Sequence, residues 1–203
     1  MLKLFYASQT RAGRPRWLLE EIGAPYELAR LDLSKGDHKK PEYLKINPNG
    51  TVPALVDGDL ALFESAAICQ YLADKFPDKR LAPPAGTPAR GRYYQWIHYA
   101  MCGLEPPLVT MFMHTVMRPE AQRNPALVEE ARGQLKPVLG VIEQALAGRT
   151  YIVGDEFTTA DVMIASTLGW ARMMGLIGTD LPNMTAYLDR MMKRPAMQRA
   201  IAD

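Results

Sequence analysis

The stretch NPNGTVPALVDGDLALFESAAICQYL, Asn47 to Leu72, decides how the first half of this chain folds. Its apolar run Val52-Pro53-Ala54-Leu55-Val56 is short and bounded by turn residues, the pattern of a buried strand, yet proline has no N–H to give a ladder. Asp57-Gly58-Asp59 then makes a tight turn, Leu60 to Phe63 is a second strand, and Ser65 opens a helix to Phe76 with Ile68, Tyr71, Leu72 and Phe76 on one face. An X-Pro bond takes the cis form at a cost of about 0.5–1 kcal/mol. A cis Pro53 would turn the Val52 N–H and C=O away from neighbouring strands, where an extended peptide can pair with them. The helix beginning at Ser65 offers unsatisfied N–H groups, the positive end of its dipole and a hydroxyl, a set that suits a carboxylate. Glu64 supplies the opposite charge. A ligand with a carboxylate, an ammonium beside it and a peptide-like middle satisfies all three features.

Working outward, Leu2 to Tyr6 reads as a strand, Arg14 to Ile22 as a helix that tolerates Pro15 in its first turn, and Tyr26 to Leu31 as extended. The order is therefore β-α-β followed by β-β-α. Residues 77–88 hold four prolines and a glycine between two periodic regions, the composition of an interdomain linker. This divides the chain into a first domain over 1–76, the linker 77–88, and a second domain over 89–203. In the second, Tyr93 to Met117, Pro125 to Leu146, Thr159 to Met174 and Met184 to Ala202 carry helical spacing, and no strand pattern appears. The fold class is thus an α+β domain joined to an all-helical bundle. Thr158 and Asp161 form a capping box, with Phe157 placed to staple against Val162, and the run from Val162 to Trp170 is apolar enough to lie at the bundle centre.

The 203 residues include 24 basic and 22 acidic side chains, a net charge of +2 with no long basic block, so no nucleic-acid footprint is present. No apolar run reaches transmembrane length, and MLKLFYASQTRAGR lacks the apolar core and cleavage site of a signal peptide, so a cytoplasmic location is expected. Cys69 and Cys102 are isolated and form no CxxC, which suits buried packing roles in a reducing compartment. His98 and His114 sit among aromatics and methionines and read as packing residues. No metal is expected.

Glutathione has the ligand pattern described above, and at these residues the chain resembles the cytosolic glutathione transferases over essentially its whole length. NPNGTVPAL is similar to the segment bearing that family's cis-proline, ESAAICQYL to the helix start that holds the γ-glutamyl group, and FTTADVMIASTL to the capping signature of the second domain. The resemblance implies a thioredoxin-like first domain and a helical second one. It implies that Val52 pairs with the cysteinyl backbone of glutathione, that Pro53 holds that geometry, and that Glu64 and Ser65 grip the γ-glutamate. KGDHKKPEYLKINPNG is also similar to a loop of theta-like members in which a histidine meets the glycine carboxylate; this carries over to His38, with Lys39 as a helper. A homodimer is expected on the same ground, with no nucleic-acid or membrane partner.

The expected chemistry is activation of the glutathione thiol. A free thiol titrates near 8.5, so little thiolate exists at neutral pH, and the thiolate is the nucleophile. Family members lower that pKa with a hydroxyl between the first strand and the first helix. Here the region reads Tyr6-Ala7-Ser8-Gln9-Thr10-Arg11-Ala12-Gly13-Arg14, which makes Thr10 the first candidate, Ser8 the second and Tyr6 the third, with Arg11 and Arg14 as charge-based alternatives. The hydrophobic co-substrate is expected in an apolar hollow between the domains, with Ala7 and Ser8 on one side and Trp96, Tyr99 and Met113 on the other. Conjugation to hydrophobic electrophiles, with possible reduction of organic hydroperoxides, is the leading function. A non-catalytic glutathione-binding or stress-response protein of the same fold is the alternative.

Overall fold

The structure, a computed structural model describing residues 1–202, begins with β1 (Leu2–Tyr6). Its alternate residues Leu2, Leu4 and Tyr6 are buried, as the two-residue period of a strand requires. The chain continues through α1 (Gly13–Ile22), β2 (Tyr26–Arg30), a 3-10 turn at Asp37–Lys39, the short α2 (Pro41–Leu44), β3 (Ala54–Asp57), β4 (Leu60–Phe63) and α3 (Ser65–Lys75). The sheet order is β2-β1-β3-β4, with β1 parallel to β2, antiparallel to β3, and β3 antiparallel to β4. This is the thioredoxin-like β-α-β, β-β-α arrangement. Leu4 and Leu55 of the sheet, Trp17, Leu18, Leu19 and Ile22 of α1, and Ile68, Cys69 and Leu72 of α3 supply the apolar core.

The chain divides into two compact units, residues 1–82 with the segment from Met191 onward, and Pro83–Arg190. Sequence order puts the last helix, α9 (Pro195–Ile201), with the helical region, but in the structure it packs on α1. The cause is chemical complementarity. Arg194 forks onto the Glu21 carboxylate at 2.6 and 2.9 Å, Arg199 donates to Glu20 at 2.8 Å, and Ala196 and Ala200 bury their methyl groups.

The second unit contains α4 (Pro88–His98), α5 (Glu105–Phe112), α6 (Pro125–Leu146), α7 (Thr159–Met173) and most of α8 (Pro182–Met192). The helix read over 93–117 starts earlier and winds unevenly. Thr87 caps α4 by accepting the Arg90 N–H, and Pro88 takes the first helical position, where no donor is required. Wide π turns occupy Tyr99–Leu104 and Met113–Met117. The first of them leads into α5 such that Pro106 and Pro107 fall in its opening turn, where the missing N–H groups cost nothing. Pro195 likewise splits the helix read over 184–202 into α8 and α9. Central placement of α7 is borne out: Val162, Met163, Ile164 and Leu168 are fully buried. Among the described residues, no helix is long and apolar enough to cross a membrane.

Candidate functional site

The register of the sheet gathers the candidate residues at one end. Phe5 pairs with Ala54 and Ala54 with Phe63, so the loop after β1, the residues before β3 and those after β4 all leave the sheet together. Tyr6 pairs with Arg30, and the Leu31 N–H donates to the Tyr6 carbonyl, so the loop that carries His38 starts at the same end. Four separate stretches of sequence thus converge without needing long connections.

The Val52-Pro53 peptide bond is cis, and the β3 ladder starts only at Ala54. Val52 is half-buried, and its N–H and carbonyl have no partner among the described residues. The turn before it is tightly held. Asn47, fully buried, donates from Nδ2 to the Thr51 carbonyl at 2.7 Å and to the Thr51 hydroxyl, and its Oδ1 accepts the Asn49 N–H at 3.1 Å. Tyr43, also buried, donates its hydroxyl to the same Thr51 carbonyl. The Lys39 ammonium donates to the Gly50 carbonyl at 2.9 Å, and His38 beside it is half-buried with its Nδ1 enclosed and unpartnered among the described residues.

Across the hairpin from Pro53, Glu64 adopts φ 70° and ψ 113°, a left-handed conformation that few non-glycine residues take. Its carbonyl accepts the Ile68 N–H and its side chain is exposed. Ser65 starts α3 with a buried hydroxyl that accepts from Arg14 Nη1 at 3.1 Å. Arg14, itself buried, therefore ties the start of α1 to the start of α3 and brings positive charge beneath the helix terminus. The same guanidinium lies near Cys69, but full burial outweighs it and pushes that thiol up to about 12, so Cys69 stays a neutral packing residue, whereas Cys102, expected to be buried too, is exposed.

In the loop after β1, Ser8 is exposed and its hydroxyl has no partner among the described residues. Gln9 turns the chain with φ 57°. Thr10 is held from both sides: its Oγ1 donates to the Ala7 carbonyl at 2.7 Å and accepts the Ala12 N–H at 3.2 Å. Tyr6 is buried under guanidinium groups, with Arg16 at 4.8 Å and Arg30 at 5.7 Å from its ring centre. In the second unit, Trp96 is buried and meets the half-buried Tyr99 edge to face, with ring centres 5.5 Å apart, while Met113 is half-buried at the start of a π turn. Burial raises the Tyr99 phenol above its ordinary pKa. Among the described residues, no group of three or more His, Cys, Asp or Glu is placed to hold a metal ion.

Two contributors escaped the sequence reading, Asn47 and Tyr43. The signal for Asn47 was present, since an Asn two places before another Asn in a Pro-Asn-Gly turn is placed to bond its own backbone. Tyr43 carried no such sign, because its hydroxyl reaches across eight residues.

Comparison with known proteins gives the same picture. Residues 1–74 match the family described as "Glutathione S-transferase, N-terminal domain" and residues 105–195 match "Glutathione S-transferase, C-terminal domain". Glutathione S-transferase 3 of Zea mays is 34% identical over 191 residues, covering 91% of this chain and 86% of the maize protein. Glutathione S-transferase GstA of Escherichia coli O157:H7 is 33% identical over 208 residues, covering 99% and 98%. Among solved structures, the glutathione transferase URE2P6 of Phanerochaete chrysosporium, crystallised with oxidized glutathione, superposes with a TM-score of 0.88 at 32% identity, over 98% of this chain and 94% of that one. With both domains matched and relatives aligned nearly end to end, the chain belongs to the glutathione S-transferase family.

Proposed function

We propose that the protein binds glutathione at the converging end of its sheet, ionises the thiol and transfers it to hydrophobic electrophiles. The observation that carries this reading is the pairing of an open backbone edge at Val52 with the buried Ser65 hydroxyl at the start of α3, side by side across the β3–β4 hairpin. Val52 pairs with the cysteinyl amide and carbonyl, Pro53 holds that edge, Ser65 and the α3 terminus take the γ-glutamyl carboxylate, and Glu64 takes its ammonium. His38 meets the glycine carboxylate. The relatives that carry the family name, and the URE2P6 protein crystallised with oxidized glutathione, support the choice of ligand.

Thr10 is the proposed thiol activator, with Ser8 as its competitor. The Thr10 hydroxyl is already fixed by two backbone groups, and the Ala12 N–H that it accepts makes it a better donor. Turning its proton from the neutral Ala7 carbonyl to a thiolate exchanges an ordinary hydrogen bond for a charge-assisted one, roughly twice as strong. Ser8 has a free proton but nothing to orient it. The thiolate then attacks an electrophilic carbon; a carbon–sulfur bond forms and the leaving group departs with its electron pair. With an organic hydroperoxide, the same thiolate attacks the distal oxygen, the O–O bond breaks and the alkoxide leaves with its electron pair to be protonated to the alcohol. A second glutathione thiol then displaces the hydroxyl of the resulting sulfenic acid, giving disulfide and water. Trp96, Tyr99 and Met113 supply apolar surface for the co-substrate.

The free Cys69 and Cys102 suit a reducing cytoplasm, and the exposed Leu60 and Phe63 of β4 suit a two-fold homodimer, which sedimentation would reveal. The test of function is steady-state turnover of an activated aryl chloride and of an organic hydroperoxide. Thr10→Ala should lower kcat about a hundredfold with little change in glutathione affinity, whereas Ser65→Ala should weaken binding about tenfold. A large kcat loss in Ser8→Ala instead would transfer the role to Ser8. Small, equal effects in both would point to Arg11 or Arg14. Glutathione binding with no turnover of either substrate would leave a binding module.

A further inference from the structure

The Thr51 carbonyl has two buried donors aimed at it, Tyr43 Oη and Asn47 Nδ2 at 2.5 and 2.7 Å. That carbonyl belongs to the same planar peptide group as the Val52 N–H. The only cis bond among the described residues is the next one, Val52-Pro53, so the Thr51–Val52 peptide is trans and its N–H points opposite to its C=O. Holding the oxygen therefore aims the hydrogen, away from Tyr43 and Asn47.

Both anchors are themselves immobilised. Asn47 Oδ1 is occupied by the Asn49 N–H, its own N–H donates to the Tyr43 carbonyl, and its carbonyl accepts the Gly50 N–H. The Tyr43 ring packs against Phe5 of β1 with centroids 5.3 Å apart, and burial raises its phenol above its ordinary pKa, so the donor keeps its proton. A surface turn needs no such investment for stability alone: one donor would satisfy the Thr51 carbonyl, and two hold its direction in the peptide plane.

We infer that Tyr43 and Asn47 are positioning residues that fix the plane of the Thr51–Val52 peptide and so present the Val52 N–H to an extended peptide thiol. The inference rests on the glutathione reading above for its ligand, but its geometric half can be measured without any ligand. Neither residue touches the reacting sulfur. Their effect is on binding of the peptide portion, not on the chemical step.

The experiment compares the wild-type protein with Tyr43→Phe and Asn47→Asp. The first removes only the hydroxyl and keeps the ring; the second keeps the acceptor for Asn49 and removes the donor. Amide order parameters of Val52 in the free protein and glutathione affinity with kcat are measured on each. The inference expects a rigid Val52 amide in the wild type, near about 0.85, dropping toward about 0.6 in both variants. It also expects glutathione Kd and KM to rise about tenfold while kcat at saturation stays within about twofold. Tyr43→Phe carries the test alone if the aspartate variant does not fold. An unchanged Val52 order parameter with unchanged affinity overturns the inference and leaves the glutathione reading standing. A wild-type protein that fails to bind glutathione overturns that reading and, with it, the purpose assigned to the fixed plane.

Discussion

At the scale of single residues, the site is built from backbone direction as much as from side-chain chemistry. Glu64 holds a left-handed conformation that a glutamate adopts only when its surroundings enforce it, and Gly50 sits at φ +56° for a reason that can be stated in ångströms. A Cβ on Gly50 would lie 2.8 Å from the Lys39 ammonium and 2.9 Å from the His38 carbonyl oxygen. The lysine can move but the carbonyl cannot. Gly50→Ala should therefore cost about 1–3 kcal/mol in urea unfolding and loosen the turn that carries His38. A variant as stable as the wild type would show that the clasp between the two loops is unimportant. Most of these residues were legible in the sequence. Pro53 in an apolar run and Glu64-Ser65 at a helix start are local signals, readable without knowing the fold. Thr10 was equally visible, but the Ala7 carbonyl and the Ala12 N–H that hold its hydroxyl became visible only with coordinates, because a loop's turn geometry is not written in its residue types.

At the scale of elements, the strands and their order along the chain followed from the two-residue period, whereas the short α2 went unread and the other misses concern helix starts, helix winding and the placement of α9. The long reading over 93–117 missed the start at Pro88 because proline in a first turn looks like linker composition, and it missed the π turns because a widened turn leaves the apolar pattern nearly intact. The placement of α9 was illegible for a different reason. Nothing local in PAMQRAI says which distant surface it covers; Glu20 and Glu21 on α1 decide it, more than 170 residues away. The Arg194–Glu21 fork is the stronger of the two ties, with side-chain exposures of 24% and 12% and a second bond from Trp17 Nε1 to the same carboxylate. Arg194→Ala should lower stability by about 1–3 kcal/mol, more than an exposed pair is worth, with only weak dependence on salt. Arg199→Ala, at an exposed site, should cost less than about 1 kcal/mol. Equal losses would mean that α9 is held by its buried alanines and not by charge.

At the scale of the whole molecule, a buried carboxylate in the second unit, Asp161, makes part of the stability depend on pH. Asp161 accepts from the Ile152 N–H, the Thr158 N–H and hydroxyl, and the Tyr187 hydroxyl, yet burial wins and pushes it up to about 6. The folded protein thus holds this proton more tightly than the unfolded chain, whose aspartate titrates near 3.9. The stabilisation from that proton is complete below about pH 4, is lost as pH rises toward 6, and is constant above. The difference in unfolding free energy between wild type and Asp161→Asn should therefore fall between those values; a rise would mean that the four donors outweigh burial. For the first unit, the chemistry proposed at the loop after β1 is ionisation of a bound thiol. The most direct test is a difference spectrum of thiolate absorbance for glutathione bound to the wild-type protein, titrated against pH with calorimetry on the same sample. The account predicts binding with a thiol pKa well below the value of about 8.5 for a free thiol. An unshifted pKa would contradict activation and leave a glutathione-holding module, and the absence of binding would contradict the assignment of Val52 and Ser65 to glutathione.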